Sequence, residues 1–514
     1  MDTRAPDANP KSASPDEAAV PSTPRTGLVI GLLVVSAFVV ILNETIMSVA
    51  LPRLMVDLSI TASTAQWLTT GFILTMAVVI PATGFILQRF NMRPVFMTAM
   101  ISFSLGTLLA ALAPGFGFLL VGRVLQAIGT AIMMPLLMTT VLNTVAPEKR
   151  GRMMGTISIV IAVAPAIGPT VSGLILSVLD WRWMFWIVLP IGLLALTLGS
   201  IWISNLTVPR KTRFDVLSII LSTFAFGGLI FGLSSMGEAA EGNAILPPWM
   251  PITVGALALV AFISRQLMLQ RNDRALLDLR TFTSRQFTVA IVVVIIMMIG
   301  LFGSLVLLPI YMQNVLGFGT LETGLTLLPG GILMGVLSPI VGRVFDKVGP
   351  RPLVVPGTII VSTALWSMTT FDAATSSVTI IAIHCLLNTG LGFTFTPLLT
   401  SALGSLPQRL YSHGSAIMST LQQVAGAAGT ALFVTLMTIG TASGIAAGAS
   451  ETSALAGGVQ SAFFVGACIS VLAVVGSFFV RRPPVQAALR EDGIDAQEPE
   501  LSASRSSDGP VREL

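Results

Sequence analysis

Residues 342–351 read Gly342-Arg-Val-Phe-Asp346-Lys347-Val-Gly349-Pro-Arg351, and residues 84–93 read Gly84-Phe-Ile-Leu-Gln88-Arg89-Phe-Asn91-Met-Arg93. Both follow one pattern: Gly, three intervening residues, an acidic position and a base, then after one residue Gly, and after one more Arg. The second copy is complete. The first puts Gln88 where the second has Asp346, and Asn91 where it has Gly349. Each is a short charged stretch between long apolar runs. A smaller echo, Pro135-Leu-Leu and Pro397-Leu-Leu, repeats at a similar interval. The chain therefore reads as two related halves.

Outward from these loops, composition names the solvent. Of the 514 residues, 54% are hydrophobic and 10% charged, where a soluble domain carries about 25% charged residues. A mean hydropathy of +0.87 agrees. Such a surface requires lipid. The net charge of +4 does not imply nucleic acid, because the bases sit in short clusters between apolar runs. Two cysteines, Cys385 and Cys468, and two histidines, His384 and His413, give neither a disulfide framework nor a metal site.

A helix needs about 20 apolar residues to cross ~30 Å of hydrocarbon. Fourteen stretches meet that expectation: 28–50, 65–87, 95–113, 116–140, 153–177, 183–203, 216–236, 249–269, 287–312, 323–341, 352–371, 377–400, 415–437 and 459–480. Residues 1–25 and 483–514, rich in Pro, Ser, Ala and acidic side chains, are expected to be disordered cytoplasmic tails. The expected organisation is a six-helix bundle over 28–203, two additional helices over 216–269 and a second six-helix bundle over 287–480. Of the 28 Lys and Arg, all but Arg53, Arg123 and Arg182 fall on the side that carries both tails. Bases concentrate on the cytoplasmic side of membrane proteins, so this asymmetry predicts an even number of spans with both termini inside. Repeated halves of this kind build many transporter folds, with the substrate site at their interface.

The loop pattern resembles the signature of the major facilitator superfamily. Further strings resemble its fourteen-span drug:proton antiporter branch. They are Leu42 to Pro52 (LNETIMSVALP), Arg123-Val-Leu-Gln126-Ala-Ile-Gly129, and the run from Ala164 to Gly173 with Gly168, Pro169 and Ser172, close to that branch's antiporter motif. The stretch WRWMFWIVLP from Trp181 and Leu308-Pro309-Ile-Tyr311-Met-Gln313 belong to the same likeness, which runs from about residue 28 to 480. The first of these strings also looks like the lincosamide-exporter type. The resemblance implies an all-α membrane protein of the major facilitator fold. It also implies a plasma-membrane exporter of lipophilic or cationic drugs, driven by a proton gradient and needing no cofactor, and acting on small organic substrates and protons; a monomer is expected, though the sequence leaves the oligomeric state open. A narrow exporter of one antibiotic or metabolite, or a receptor on the same fold, remains the alternative. The branch usually has Asp where this chain has Asn43, and its carboxylate is one position on, at Glu44.

An ionisable side chain inside a span must pair or line a wet cavity. Glu44, Arg123 and His384 are the candidates. At ~1.5 Å per residue, Glu44 lies roughly 9 Å, and Arg123 roughly 10 Å, from the outer ends of their spans. His384 is at a similar level, so a shared cavity is expected. Burial penalises a charged carboxylate and a nearby guanidinium favours it, a competition suited to reversible proton carriage; a purely structural Glu44–Arg123 pair is the alternative. Gly168, Pro169 and Gly173 are expected to make a kinked, close contact between the halves that seals against proton leak. Gly84, Arg89, Arg93, Gly342, Asp346, Lys347, Gly349 and Arg351 are expected to form a cytoplasmic latch, with Asp346 at a helix N-terminus or an Arg. Substrate-lining candidates are Asn43, Trp67, Phe72, Met76, Gln126, Met133, Met138, Asn388, Gln422 and Gln423, where flexible methionines suit varied shapes.

Other classes lack their chemistry. There is no Gly-Lys pair, hence no phosphate loop for an ATP-driven pump, and no His-Glu-x-x-His for a membrane metalloenzyme.

Overall fold

A computed structural model describes residues 25–203, 205, 215–240 and 246–481. The two tails read as disordered lie outside the described residues apart from Arg25, as does the basic run at 210–213.

The described chain is helical throughout: α1 Arg25–Asp57, α2 Ala62–Arg89, α3 Met92–Ala111, α4 Phe116–Thr144, α5 Arg150–Val178, α6 Arg182–Trp202, α7 Val216–Ser222, α8 Gly228–Ala240, α9 Trp249–Leu269, α10 Arg285–Asn314, α11 Thr320–Val348, α12 Arg351–Met368, α13 Ser377–Gly404, α14 Tyr411–Ala446 and α15 Glu451–Ser477. A π turn, Thr223–Gly227, joins α7 to α8, making one rod of the two. Ser222 and Thr223 both turn their hydroxyls back onto the Ile219 carbonyl there, and such insertion loosens the helical ladder.

Twelve of these helices are long and apolar enough to cross a membrane. A thirteenth is α5, bent by about 40° between Pro147–Pro165 and Thr170–Val178. The bend brackets Pro165 and Pro169, as expected where proline removes a backbone donor. The remaining rod, α12, is 18 residues long and opens with Arg351-Pro352, a polar start that leaves it outside the helices long and apolar enough to cross.

The pairing of helices repeats. In the first bundle α3 packs on α4, α2 on α4, α1 on α5, α3 on α6, and α1 on α4 and α6. In the second, α12 packs on α13, α11 on α13, α10 on α14, α12 on α15, and α10 on α13 and α15. Replacing each of α1–α6 by its counterpart in α10–α15 reproduces these pairings; the exception is α14 with α15, which pack extensively where α5 and α6 barely touch. The contacts between bundles obey the same exchange: α5 lies along α11, and α14 along α2. The duplication visible in the two loops thus extends to most of the packing scheme.

The rod α7–α8 and α9 form a hairpin held by small residues. Gly228 faces the backbone of Gly255 and Pro251, and Gly232 faces Ile252 and Pro248, the close approach that small residues at four-residue spacing allow. This hairpin packs against α2 and α14 only on one flank of the molecule.

Candidate functional site

Arg123 is fully buried in α4. A guanidinium there must find acceptors, because an unsatisfied buried charge is costly. It finds them on three helices. Nε donates to the Leu68 carbonyl at 3.3 Å, Nη1 to the Asn43 carbonyl at 3.4 Å and to Gln126 Oε1 at 3.1 Å. Its cationic carbon sits 4.1 Å from the centre of the Phe72 ring, a favourable cation–π position. Nη2 has no partner. Glu44, one residue past Asn43 on α1, is the charge that acts on Arg123 through space. Glu44 is only partly buried, and the two are not joined by an ion pair within 4.0 Å.

His384 is placed elsewhere, in α13 of the second bundle. Its Nε2 lies 3.1 Å from Asn388 Nδ2, which also donates to the His384 carbonyl at 2.9 Å. Nδ1 packs against Gly330 of α11 and has no hydrogen-bond partner. The structure therefore brings Glu44, Arg123, Asn43, Gln126 and Phe72 together, and His384 with Asn388 separately.

The other lining candidates divide. Met76 and Gln423 meet across the bundles, Nε2 to Sδ at 3.8 Å. Gln422 is half-buried with its Nε2 unpartnered. Trp67 packs on Phe231 of α8, ring centres 5.8 Å apart. Met133 and Met138 belong to the packed hydrophobic core.

In α5, Gly168 lies against Thr45 of α1, within its own bundle, and Gly173 has open space around it. Nothing is described of the Pro169 side chain. The close approach of α5 to α11 is made instead by Gly151 against Gly342, Gly155 against Ser338 and Pro339, and Val163 against Gly335.

The loops meet the opposite bundle at matching places. Asp346 accepts the backbone N–H groups of Gly151 at 2.8 Å and Arg152 at 2.9 Å. These are first-turn donors of α5, which no carbonyl of the helix can satisfy, and the helix dipole favours a carboxylate there. In the other copy Gln88 donates to the Arg409 carbonyl at 3.0 Å, and Gly84 lies under His413 and Ala416 of α14. Gly349 has φ +81° and caps α11 by donating to Phe345 O, a conformation that glycine adopts without cost. Asn91 instead has φ −62° at the start of α3, so the first copy needs no glycine. Arg93 donates to the Ser200 carbonyl at 2.6 Å, near the end of α6. Lys347 and Arg351 take no hydrogen-bond or ion-pair partner among the described residues.

Further bonds cross between bundles on this same side: Arg150 Nη1 to Tyr411 Oη at 3.1 Å, Thr139 Oγ1 to Ser415 Oγ at 3.4 Å, and Thr396 Oγ1 to Ser158 Oγ at 2.8 Å. Asp215, just before α7, grips Arg265 of α9 with both oxygens, at 2.7 and 2.8 Å. The Arg265 guanidinium holds the Asp215 carboxyl below its usual range. Sequence reading missed Thr107, Gly155 and these hydroxyl pairs, since single Ser, Thr and Gly residues in apolar spans carry no pattern that marks them.

Two pseudo-equivalent bundles, a buried arginine in one of them and a latched loop side define a membrane carrier. The sequence matches the Major Facilitator Superfamily over residues 33–430, and the chain belongs to that family: it is a multi-pass membrane transporter and not an enzyme. It is 42% identical over 461 residues to the lincomycin resistance protein LmrB of Listeria monocytogenes, covering 88% of this chain and 96% of the relative. The multidrug resistance protein B homolog of Mycobacterium tuberculosis is 30% identical over 415 residues, covering 79% of this chain and 75% of the relative. Among solved structures, the human organic anion transporter MFSD10 superposes with a TM-score of 0.64 at 14% identity, covering 89% of this chain and all of the other. The proton:xylose symporter XylE gives 0.60 at 16% identity, covering 89% and 96%.

Proposed function

We propose that the protein exports small organic drugs across the plasma membrane in exchange for protons, by alternating access of the two bundles. The observation that carries this reading is the buried Arg123 cradled beside Glu44. A cation held through Nε and Nη1 by carbonyl and amide oxygens and by a ring, with a carboxylate nearby that is not locked to it, suits a group that exchanges a proton while the arginine stays in place. The family Asp is replaced by Asn43, whose carbonyl binds Arg123, and Glu44 is assigned the proton-carrying role. No cofactor is required; the proton gradient supplies the energy. The loop side is assigned to the cytoplasm, with both termini there, on the distribution of Lys and Arg.

A narrow substrate range is the second reading. The relatives at 42% identity are named for lincomycin resistance, and the one named for multidrug resistance is at 30%. Inside-out vesicles with an imposed pH gradient test both. Proton release on adding lincomycin or ethidium, absent in Glu44→Gln, is the expected result. A response to lincomycin alone selects the narrow reading. Full release by Glu44→Gln removes Glu44 from the coupling.

A further inference from the structure

Arg123 is oriented by more than its immediate acceptors. Gln126 accepts from Nη1 through Oε1, and its Nε2 donates to Thr107 Oγ1 of α3 at 2.9 Å. The Thr107 hydroxyl in turn donates to the Phe103 carbonyl, one turn earlier on α3, at 2.7 Å. All three side chains are buried, Arg123, Gln126 and Thr107 having no exposed surface.

The direction of donation is fixed at every link. A hydroxyl has one proton. Because that of Thr107 goes to a backbone carbonyl, its oxygen is left to accept, and only the amide nitrogen of Gln126 can donate to it. The amide oxygen must then face Arg123. In the flipped amide, NH₂ would face both a guanidinium and an already donating hydroxyl, and buried polar groups would lose their partners.

Proximity of the helices makes the link possible. Gly106 precedes Thr107, and a Cβ there would stand 2.5 Å from the Gly122 carbonyl and 2.7 Å from the Gln126 nitrogen. Only glycine lets α3 lie this close to α4, within reach of a side chain as short as threonine.

We propose that Thr107 is a positioning residue for proton coupling: through Gln126 it holds the Arg123 guanidinium in one orientation, engaged through Nε and Nη1, and so keeps Nη2 free. This rests on the reading of Glu44 as proton carrier. The elements packed on α4 are α1, α2, α3, α5 and α14, and of their charged or titratable groups the one that acts on Arg123 is Glu44 of α1. From α2 come Leu68 O and Phe72, and from α3 the Thr107 relay, all uncharged. Arg150 of α5 and Tyr411 and His413 of α14 are at the loop side, where Arg150 bonds Tyr411.

The test substitutes Thr107→Val, which keeps the shape and removes the hydroxyl, and Thr107→Ser, which keeps the hydroxyl. The full-length protein is assayed in inside-out vesicles for lincomycin-evoked proton release across a pH series, with Glu44→Gln in parallel. Loss of a hydrogen bond that orients a charged group predicts release reduced about tenfold in Thr107→Val, with its pH profile displaced toward higher pH. Thr107→Ser restores both the extent and the profile. Release and profile unchanged in Thr107→Val overturn the relay, and so do equal losses in Val and Ser, which would place the effect in packing. If Glu44→Gln is silent while Thr107→Val matches the unsubstituted protein, the relay alone fails. If Glu44→Gln releases protons fully, the antiport reading fails and takes the relay with it.

Discussion

Asp346 is held by two backbone donors at the start of α5, and this one carboxylate shows what a charge is worth at a helix terminus. Asn in its place accepts through one oxygen and carries no charge. The loss is about 1–2 kcal/mol, roughly a tenfold shift away from the state in which the loop side is closed. Asp346→Asn is therefore expected to increase labelling of a cysteine placed at Thr396, beneath the latch, by a water-soluble thiol reagent added from the loop side. Unchanged labelling would show that Asp346 does not set the equilibrium. Asp215 obeys the same electrostatics outside the spans. Its carboxyl is held below the ordinary value by Arg265, so its contribution to stability is present above the ordinary carboxylate range and disappears as pH falls through the lowered value. Both side chains are partly exposed, which limits the pair to about 1 kcal/mol. Arg265→Gln is expected to melt about 2 °C lower than the unsubstituted protein at pH 7, with the difference shrinking as pH falls below the ordinary carboxylate range, as a pH series of thermal scans in detergent would reveal. At this scale the sequence was legible where a charge stood alone in an apolar run, as with Glu44 and Arg123. It was silent where the operative group was a carbonyl, such as those of Leu68 and Asn43, because every residue has one.

At the scale of elements, α5 shows how glycines of the same helix differ. A Cβ on Gly155 would lie 2.5 Å from the Ser338 carbonyl and 2.9 Å from Pro339 Cα, both backbone atoms that cannot step aside. Gly173 has nothing within 4 Å. Gly155→Ala is thus expected to prop α5 off α11, at a cost of about 1–3 kcal/mol, and to cut transport severalfold. Gly173→Ala is expected to leave transport in vesicles unchanged; equal losses in the two would mean that the contact with α11 is not what matters. Helix existence and order followed from hydrophobic length, since lipid admits few alternatives for a backbone. Helix ends did not: α14 runs over 36 residues, Tyr411–Ala446, well beyond the apolar stretch 415–437, because polar turns extend a helix past the hydrocarbon without breaking its hydrogen bonds. The π turn at Thr223–Gly227 was equally hidden, since no residue pattern in that apolar run marks it.

For the whole molecule, the hydrogen bonds that cross between bundles gather on the loop side: Asp346 to α5, Gln88 to Arg409, Arg150 to Tyr411, Thr139 to Ser415 and Thr396 to Ser158. The last is the deepest of them on α5, about 12 Å above the start of that helix. Toward the other side the bundles meet through the Met76–Gln423 contact and by packing of Gly324 on Thr170. This is the pattern of a carrier sealed on its loop side, and it makes the Ser158–Thr396 pair a lock. With Cys385 and Cys468 first replaced by Ser, a disulfide or short bifunctional thiol reagent joining Ser158→Cys to Thr396→Cys is expected to fix this state. The bundles could then no longer part on the loop side, and a rocking cycle needs both sides to open in turn. Transport in vesicles should stop on cross-linking, return on reduction of the disulfide, and be unaffected by the same oxidant when either cysteine is present alone. Binding of substrate offered from the opposite side should survive the lock, because that side remains free to open. Continued transport in a fully cross-linked sample would mean that the two bundles need not separate along α5 and α13, and alternating access by their rocking would have to be abandoned.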